Sequence, residues 1–272
     1  MSTPAERFEN LLRIKPGTSV DLGEHDPDDT HGHDKAGAAK IAAKHLDQLT
    51  DLQERIWAQR SEAVLIVLQG IDTSGKDGTI RHVMDAFNPQ GCRVAGFGVP
   101  TPIELAHDHL WRIHAQTPEL GDVTIFNRSH YESVLVVRVH ELVPKERWEQ
   151  YYGEINDFER LLTDAGTTVI KFFLHIDKNE QRARLQARYD DPTKQWKFQL
   201  GDLEERKRWD DYMGAYADAL ARCSTENAPW YVIPSNHKWF RNLAVGAILV
   251  DRLAALKPQY PTPVLPPNLT IE

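Results

Sequence analysis

From residue 35 onward this chain alternates between two apolar rhythms. Ile41, Leu46, Leu49, Leu52 and Ile56, with His45 on the same face, recur at helical spacing, which predicts a helix over Lys35–Gln59. Directly after it, Ala63–Gln69 is an unbroken apolar run of strand length, as expected of a strand covered on both faces. The pattern then predicts a helix over Thr79–Phe87, ended by Asn88-Pro89 and Gly91, and a strand over Arg93–Phe97. Pro102–Gln116 carries Ile103, Leu105, Leu110, Trp111 and Ile113 at spacings that suit a helix, and Asp122–Phe126 suits a strand. Val134–Val139 is a strand-like run. A long helix follows over Lys145–Asp164, closed by Gly166, then a strand over Thr167–Ile176. Helices over Asn179–Tyr189 and Leu203–Cys223, a strand over Trp230–Ile233 and a helix over Asn236–Leu256 complete the series.

Strands that alternate with helices predict βαβ units and a parallel sheet covered on both faces. The expectation is an α/β fold of three layers around a five-stranded parallel sheet. Residues 1–34 are rich in Gly, Pro, Asp and His and lack periodicity beyond Phe8, Leu11 and Leu12. The expected organisation is therefore an N-terminal arm and helix over 1–60, a main domain over 61–257 and a proline-rich tail over 258–272. Within the arm, His31 and His33 with Asp34 suggest a metal site, but a glycine-rich solvated turn is the expected structure.

Composition narrows the function. No apolar run approaches the roughly 20 residues that span a bilayer, so no membrane segment is expected. Cys92 and Cys223 are too few and too far apart for a disulfide framework or a zinc site, which predicts a reducing, cytoplasmic setting. A net charge of −8 argues against sequence-independent binding of nucleic acid, which relies on Lys and Arg neutralising phosphates. The charge is uneven, however: Lys178–Arg208 holds nine Lys or Arg against six acids, a local +3 suited to a polyanion.

The chemistry starts where the first strand ends, in Gly70-Ile-Asp72-Thr73-Ser74-Gly75-Lys76-Asp77-Gly78. A strand running into a glycine-rich turn with a lysine at the next helix start is a phosphate cradle, with backbone N–H groups and Lys76 as its donors. Gly70, Thr73, Ser74, Gly75, Asp77 and Gly78 are the candidate phosphate-binding positions. Where the usual pattern has a magnesium-binding hydroxyl, this chain has Asp77, and a second carboxylate, Asp72, lies inside the loop. Asp77 also suits the positive end of a helix with no metal present. The third strand ends in Phe126-Asn127-Arg128-Ser129-His130-Tyr131-Glu132, and lacks the strand-end acid common in phosphate-loop enzymes. A Mg²⁺ ion would then rely on Asp72, with Asp77 and Glu132 as further candidates, together with phosphate oxygens and water.

Together these blocks resemble the polyphosphate kinase 2 family. The resemblance runs over roughly residues 12–257, through Gly70–Gly78, Asn88-Pro-Gln-Gly-Cys92, Leu110-Trp-Arg-Ile-His114, Phe126–Glu132, Asp191-Pro-Thr-Lys-Gln-Trp-Lys-Phe198 and Ala228-Pro-Trp-Tyr-Val-Ile-Pro234 with Lys238-Trp239. It implies a thymidylate-kinase-like P-loop fold with a helical lid over about 180–215, and a homo-oligomer. It implies Mg²⁺-dependent transfer of phosphoryl groups between inorganic polyphosphate and adenine or other purine nucleotides, ADP and AMP among them. By the same resemblance Lys76, Asp72 and Arg128 are the catalytic residues, and Asn127, Glu132, Arg184 and Arg188 bind substrate. Asp72 would orient or deprotonate the acceptor phosphate or hold the metal. Many relatives have Asp at position 127; the Asn form marks a subset that looks like the one acting on both mono- and diphosphates. Ser133 and Ser235-Asn236 also depart from that subset. Trp196 and Trp209 are expected to anchor the lid by hydrophobic packing. Two other readings share these residues: an ATP-dependent nucleoside monophosphate kinase, and a nucleotide or polyphosphate sensor without turnover.

Overall fold

The structure, a computed structural model, describes residues 4–265 and 271, with side chains from Phe8 onward. Residues 266–270 and 272 of the proline-rich tail lie outside the described residues. In chain order the elements are α1 (Pro4–Leu12), α2 (Lys35–Gln59), β1 (Ala63–Gln69), α3 (Lys76–Met84), β2 (Cys92–Gly96), α4 (Pro102–Leu105), α5 (Trp111–His114), β3 (Val123–Asn127), α6 (Val136–Val139), α7 (Lys145–Asp164), β4 (Thr167–His175), α8 (Lys178–Asp190), α9 (Gly201–Lys207), α10 (Trp209–Cys223), β5 (Trp230–Pro234) and α11 (Lys238–Ala255).

The five strands form one all-parallel sheet in the order β2-β3-β1-β4-β5. Every residue of β1 is buried, because successive side chains point to opposite faces and both faces are covered. Val64, Ile66 and Leu68 join one core with α2, α3 and α11, whereas Leu65 and Val67 join the other with α7 and α10. Each such aliphatic side chain contributes about 1.5–3 kcal/mol on full burial. No helix among the described residues is long and apolar enough to cross a membrane.

The arm is tied to the sheet. Phe8 and Leu12 of α1 lie in the same core as α11, and the Ile14 N–H donates to Trp230 O at 2.9 Å beside β5. Asp34 caps α2 by accepting from the N–H groups of Ala36 and Gly37, each at 2.9 Å, and the His31 ring lies 3.2 Å from Asp29. Ala38, Leu49 and Ile56 of α2 are buried in the core that β1 and β4 share, so this helix is part of the packed unit.

Four segments differ from expectation. Helix α3 begins at Lys76 rather than Thr79, because Gly75 in a left-handed conformation turns the chain straight into it. Residues 102–116 form two short helices, with the Asp108 carboxylate accepting from Leu110 N–H at 2.9 Å between them. The strand-like run at 134–139 is helical: Val139 N–H donates to Leu135 O at 2.9 Å, continuing a 3-10 turn at His130–Ser133. Val134, Leu135 and Val139 gain burial in the α7–α10 core this way, and packing overrides the strand preference of valine. The helix expected over 203–223 breaks at Arg208, whose guanidinium donates to Val139 O at 2.9 Å.

The connection from β1 leads through α3 to β2, and the chain then returns through β3 to cross to β4 on the other side of β1. Strand order therefore reverses around β1, and the crevice this leaves at the carboxyl ends of β1, β3 and β4 is the place where such sheets bind ligands.

Candidate active site

The loop leaving β1 is wound tightly. Gly70 and Thr73 have φ of +153° and +63°, and Gly75 has φ of +109° at the cap of α3. A Cβ at Gly70 would lie 2.6 Å from Ser74 Oγ and 2.8 Å from the backbone oxygen of Leu174, so no other residue fits there without moving the loop off β4. Lys76 folds back under this arch, and its Nζ donates to Gly70 O at 2.6 Å and Ile71 O at 3.3 Å. Burial pushes its amine down to about 8, and the nearby Arg128 charge pushes the same way against Asp72, Glu132 and Asp77. The side-chain hydroxyls of Thr73 and Ser74 are buried without a hydrogen-bond partner among the described residues. Buried polar groups are ordinarily satisfied, so a cradle with a lysine and two idle hydroxyls is built for an oxygen-rich ligand.

The second wall comes from β3. Asn127 ends that strand, and its Nδ2 donates to Asp77 Oδ1 at 3.0 Å, joining the strand end to the first turn of α3. Burial raises the Asp77 carboxyl, but the bond from Asn127 and the charge of Lys197, 3.4 Å away, more than offset it and leave the pKa low. Arg128 follows with φ of +64°, half-exposed over the loop, and reaches Glu132 at 3.4 Å. Glu132 in turn accepts from Gln69 Nε2 at 3.2 Å, and that amide also donates to Ser129 Oγ at 3.1 Å.

The third wall is the segment around 180–215. Arg188 Nη1 lies 3.2 Å from Asp72 and 3.4 Å from Asp202, so one guanidinium links the loop to the start of α9. The Asp202 carboxyl is raised, first by burial and then by the charge of Asp72. Arg184 is placed differently. Its Nε donates to Glu180 at 2.6 Å, Nη1 to the carbonyls of Thr73 and Ser74 at 2.9 and 3.0 Å, and Nη2 to those of Ser235 and Asn236 at 2.6 and 3.0 Å. With every N–H committed, Arg184 holds the back of the loop to the β5–α11 turn. Trp209 is buried as expected of an anchor, and packs with Ile71 and Ile176. Trp196 is not an anchor: it is 76% exposed, with its indole N–H donating to Thr193 O at 3.1 Å and the Lys197 ammonium 5.0 Å from its ring.

Beneath the 127–132 block lies a separate, closed network. Lys171, in the middle of β4, donates to Glu159 Oε2 at 2.5 Å, Cys223 O at 2.7 Å and Tyr131 OH at 2.8 Å. Tyr131 OH donates to Glu159 Oε1 at 2.8 Å, and the His130 ring reaches the same oxygen at 3.1 Å. All four side chains are fully buried, and they fix the turn that presents Arg128 and Glu132.

Asp72, Lys76, Asp77, Asn127, Arg128, Glu132 and Arg188 thus converge on one cleft, with Gly70, Thr73, Ser74, Gly75 and Gly78 as its floor. Among the described residues no three His, Cys, Asp or Glu form a ready cation cage. Magnesium does not require one, since it keeps waters and takes one or two carboxylates with substrate phosphates. Asp72, with Asp77 or Glu132, beside the idle hydroxyls of the loop, fits a hydrated Mg²⁺ carried in on phosphate. Gln69, Lys197, Asp202 and Arg241 were not singled out from the sequence. Lys197 lies in one of the quoted motifs, and Arg241 is a cation in the first turn of a helix whose middle, Leu243–Val250, is apolar, which was the available signal.

Comparison with known proteins bears on the family and the fold. The family model described as Polyphosphate kinase 2 matches residues 32–261. The chain is 54% identical over 253 residues to the AMP/ADP-polyphosphate phosphotransferase of Meiothermus ruber, covering 92% of this chain and 95% of the relative. It is 42% identical over 263 residues to the ADP-polyphosphate phosphotransferase of Rhodopseudomonas palustris, covering 92% and 91%. The crystal structure of Polyphosphate Kinase 2 from Arthrobacter aurescens TC1 superposes with a TM-score of 0.92 at 43% identity, covering 95% of this chain and 93% of that one.

Proposed function

Since the chain belongs to the polyphosphate kinase 2 family, we propose that its cleft moves a phosphoryl group between inorganic polyphosphate and ADP or AMP. The observation that carries the reading is the convergence of Lys76, Arg128 and Arg188 on a loop whose hydroxyls at Thr73 and Ser74 have no partner. Phosphoryl transfer needs positioned reactants and cations around the charge that spreads over the transferred group, and these residues supply both.

In the cleft each cation rests on a protein oxygen. Lys76 holds the Gly70 and Ile71 carbonyls, Arg128 faces Glu132, and Arg188 bridges Asp72 and Asp202. A phosphate chain is a stronger acceptor than a carbonyl, because hydrogen bonds between charged groups are about twice as strong as neutral ones. On binding, Lys76 turns from the carbonyls to phosphate oxygens, and the anion restores the proton affinity that burial had lowered. Arg128 and Arg188 neutralise the phosphates from β3 and from the 180–215 lid. Release of Arg188 frees Asp72 to orient the acceptor phosphate, take up its proton or hold metal. Bound Mg²⁺ would supply further positive charge to the phosphate oxygens and would be held by Asp72 with Asp77 or Glu132. Arg184 keeps the loop in register while these groups move. The domain over 61–257 performs the reaction, in a cytoplasmic homo-oligomer.

Purified protein with Mg²⁺ and polyphosphate should convert ADP to ATP, and AMP to ADP. Failure of both reactions, alongside phosphorylation of a nucleoside monophosphate by ATP, would give the cleft to the monophosphate-kinase reading instead. Binding of polyphosphate without transfer, unchanged in Asp72→Asn, would mark a sensor.

A further inference from the structure

Beside the loop lies a buried cation that the reaction as described does not use. Arg241, in the first turn of α11, is 3% exposed. Its Nε and Nη2 donate only to the neutral side chain of Asn242, at 3.2 and 2.9 Å. Among the described residues its Nη1 has no hydrogen bond and no acid pairs with the guanidinium. The neighbouring arginines have acids, Arg184 having Glu180 and Arg188 having Asp72 and Asp202, and Lys76 has two backbone carbonyls. Burial, with the charge of Arg184 adding to it, pushes the Arg241 guanidinium down to about 10. Removing a charge from water without a counter-charge is costly, and buried charges are ordinarily paired.

The guanidinium lies flat against the junction of loop and helix. A Cβ at Gly75 would collide with Arg241 Nη1, and one at Gly78 would lie 3.1 Å from Nη2. Gly78 is in the first turn of α3, where glycine weakens a helix relative to alanine and where its backbone needs no special freedom. A side chain at this position would crowd the Arg241 guanidinium, and glycine leaves it room. The cation therefore sits beside the positive end of a helix and beside Arg184, where the local field opposes it. An anion on the loop would offset the charge of Arg241 and the positive helix end.

We propose that Arg241 is an anion-binding residue of the loop, which neutralises a phosphate group of the bound chain beside Gly75 and Gly78, next to the groups held by Lys76. The proposal rests on the phosphotransferase reading and extends the cradle to the junction of the loop and α3. A chain of phosphates would then meet Arg241 as it passes the loop.

The test is calorimetric binding of tripolyphosphate to wild type, Arg241→Gln and Arg241→Lys, with a melting temperature for each unliganded protein. Loss of a charged hydrogen bond to phosphate predicts about 10- to 100-fold weaker binding for Arg241→Gln, and a smaller loss for Arg241→Lys. The unliganded Arg241→Gln protein should melt at or above the wild-type temperature, because an unpaired buried charge is gone. Unchanged affinity with a lowered melting temperature would make Arg241 a structural residue and overturn the proposal. Should Arg241→Gln fail to fold, wild-type affinity in Arg241→Lys together with a lowered melting temperature would overturn it equally. If wild type transfers phosphate from polyphosphate while Arg241→Gln binds normally, only this inference fails; if wild type does not bind tripolyphosphate, the phosphotransferase reading fails with it.

Discussion

Two clusters of charge meet at the turn that carries Tyr131 and Glu132, and are built on opposite principles. In the network of Lys171, Glu159, Tyr131 and His130, each charge is buried against its partner at 2.5–3.1 Å and has no route to water. In the cleft, Lys76, Arg128 and Arg188 rest on carbonyls and carboxylates at 2.6–3.4 Å, beside buried hydroxyls with nothing to bind. The first cluster pairs its charges within itself, with His130 Nδ1 as its atom left without a partner among the described residues, and so holds shape. The second keeps capacity in reserve, and an incoming anion can claim it. What separates structure from function here is whether the partners are final, since both clusters set cations against carboxylates.

That contrast can be broken at either end. The largest expected effect is on stability: Lys171→Met leaves Glu159 buried and uncompensated, and should cost about 3–5 kcal/mol in denaturant unfolding. Replacing Glu159 by Gln in the same protein should recover part of this loss, because the orphaned charge is gone. If Lys171→Met melts like wild type, the network is not the fixed support described. Asp72→Asn should act on chemistry instead, with about a 10²-fold lower rate of transfer and retained polyphosphate binding, read by single-turnover kinetics. Equal losses in binding and rate would remove Asp72 from the acceptor side.

Arg184→Met lies between the two clusters in character. It leaves the carbonyls of Thr73, Ser74, Ser235 and Asn236 without their donor, and should cost about 1–3 kcal/mol while raising KM for polyphosphate. A changed kcat with unchanged stability and KM would mean that Arg184 leaves the loop to touch substrate. The smallest effect is that of pH. The free cleft loses its Lys76 charge as pH rises through about 8, so polyphosphate affinity should fall there. The unfolded lysine keeps its proton up to its ordinary 10.5, so the unfolded state binds more protons between these values. Stability of the ligand-free protein should therefore rise with pH across that window, and polyphosphate should suppress the rise. Affinity that is flat across the window would contradict the burial of an exchangeable charge.

Much of the scaffold was legible because its strands are covered on both faces. Ala63–Gln69 and the apolar centre of Thr167–His175 leave a sequence reader few options, and α2 and α7 match the expected ranges to the residue. Legibility failed where tertiary contacts decide. Val134–Val139 has the composition of a strand but becomes helical by continuing the turn that begins at His130. Arg208 breaks a helix to reach a carbonyl 69 positions away in sequence. In the site, the loop and the strand-end block were visible as motifs, since local geometry fixes their spacing. The division of labour among the arginines was not visible. Arg184 and Arg188 are one helical turn apart, yet one turns to the back of the loop and the other to its carboxylate. Arg241 meets the loop only because α11 packs against α3, a contact that no local pattern encodes.

The account stands most directly on Lys76, the cation that must leave two carbonyls for a phosphate. The deciding measurement is the single-turnover rate of labelled phosphoryl transfer from polyphosphate to ADP by Lys76→Met, at a folded fraction matched to wild type. A loss of about 10²–10³-fold with undiminished thermal stability is predicted, as for removal of one preorganised donor from a developing charge. Wild-type transfer, or a loss that merely tracks a destabilised fold, would contradict it.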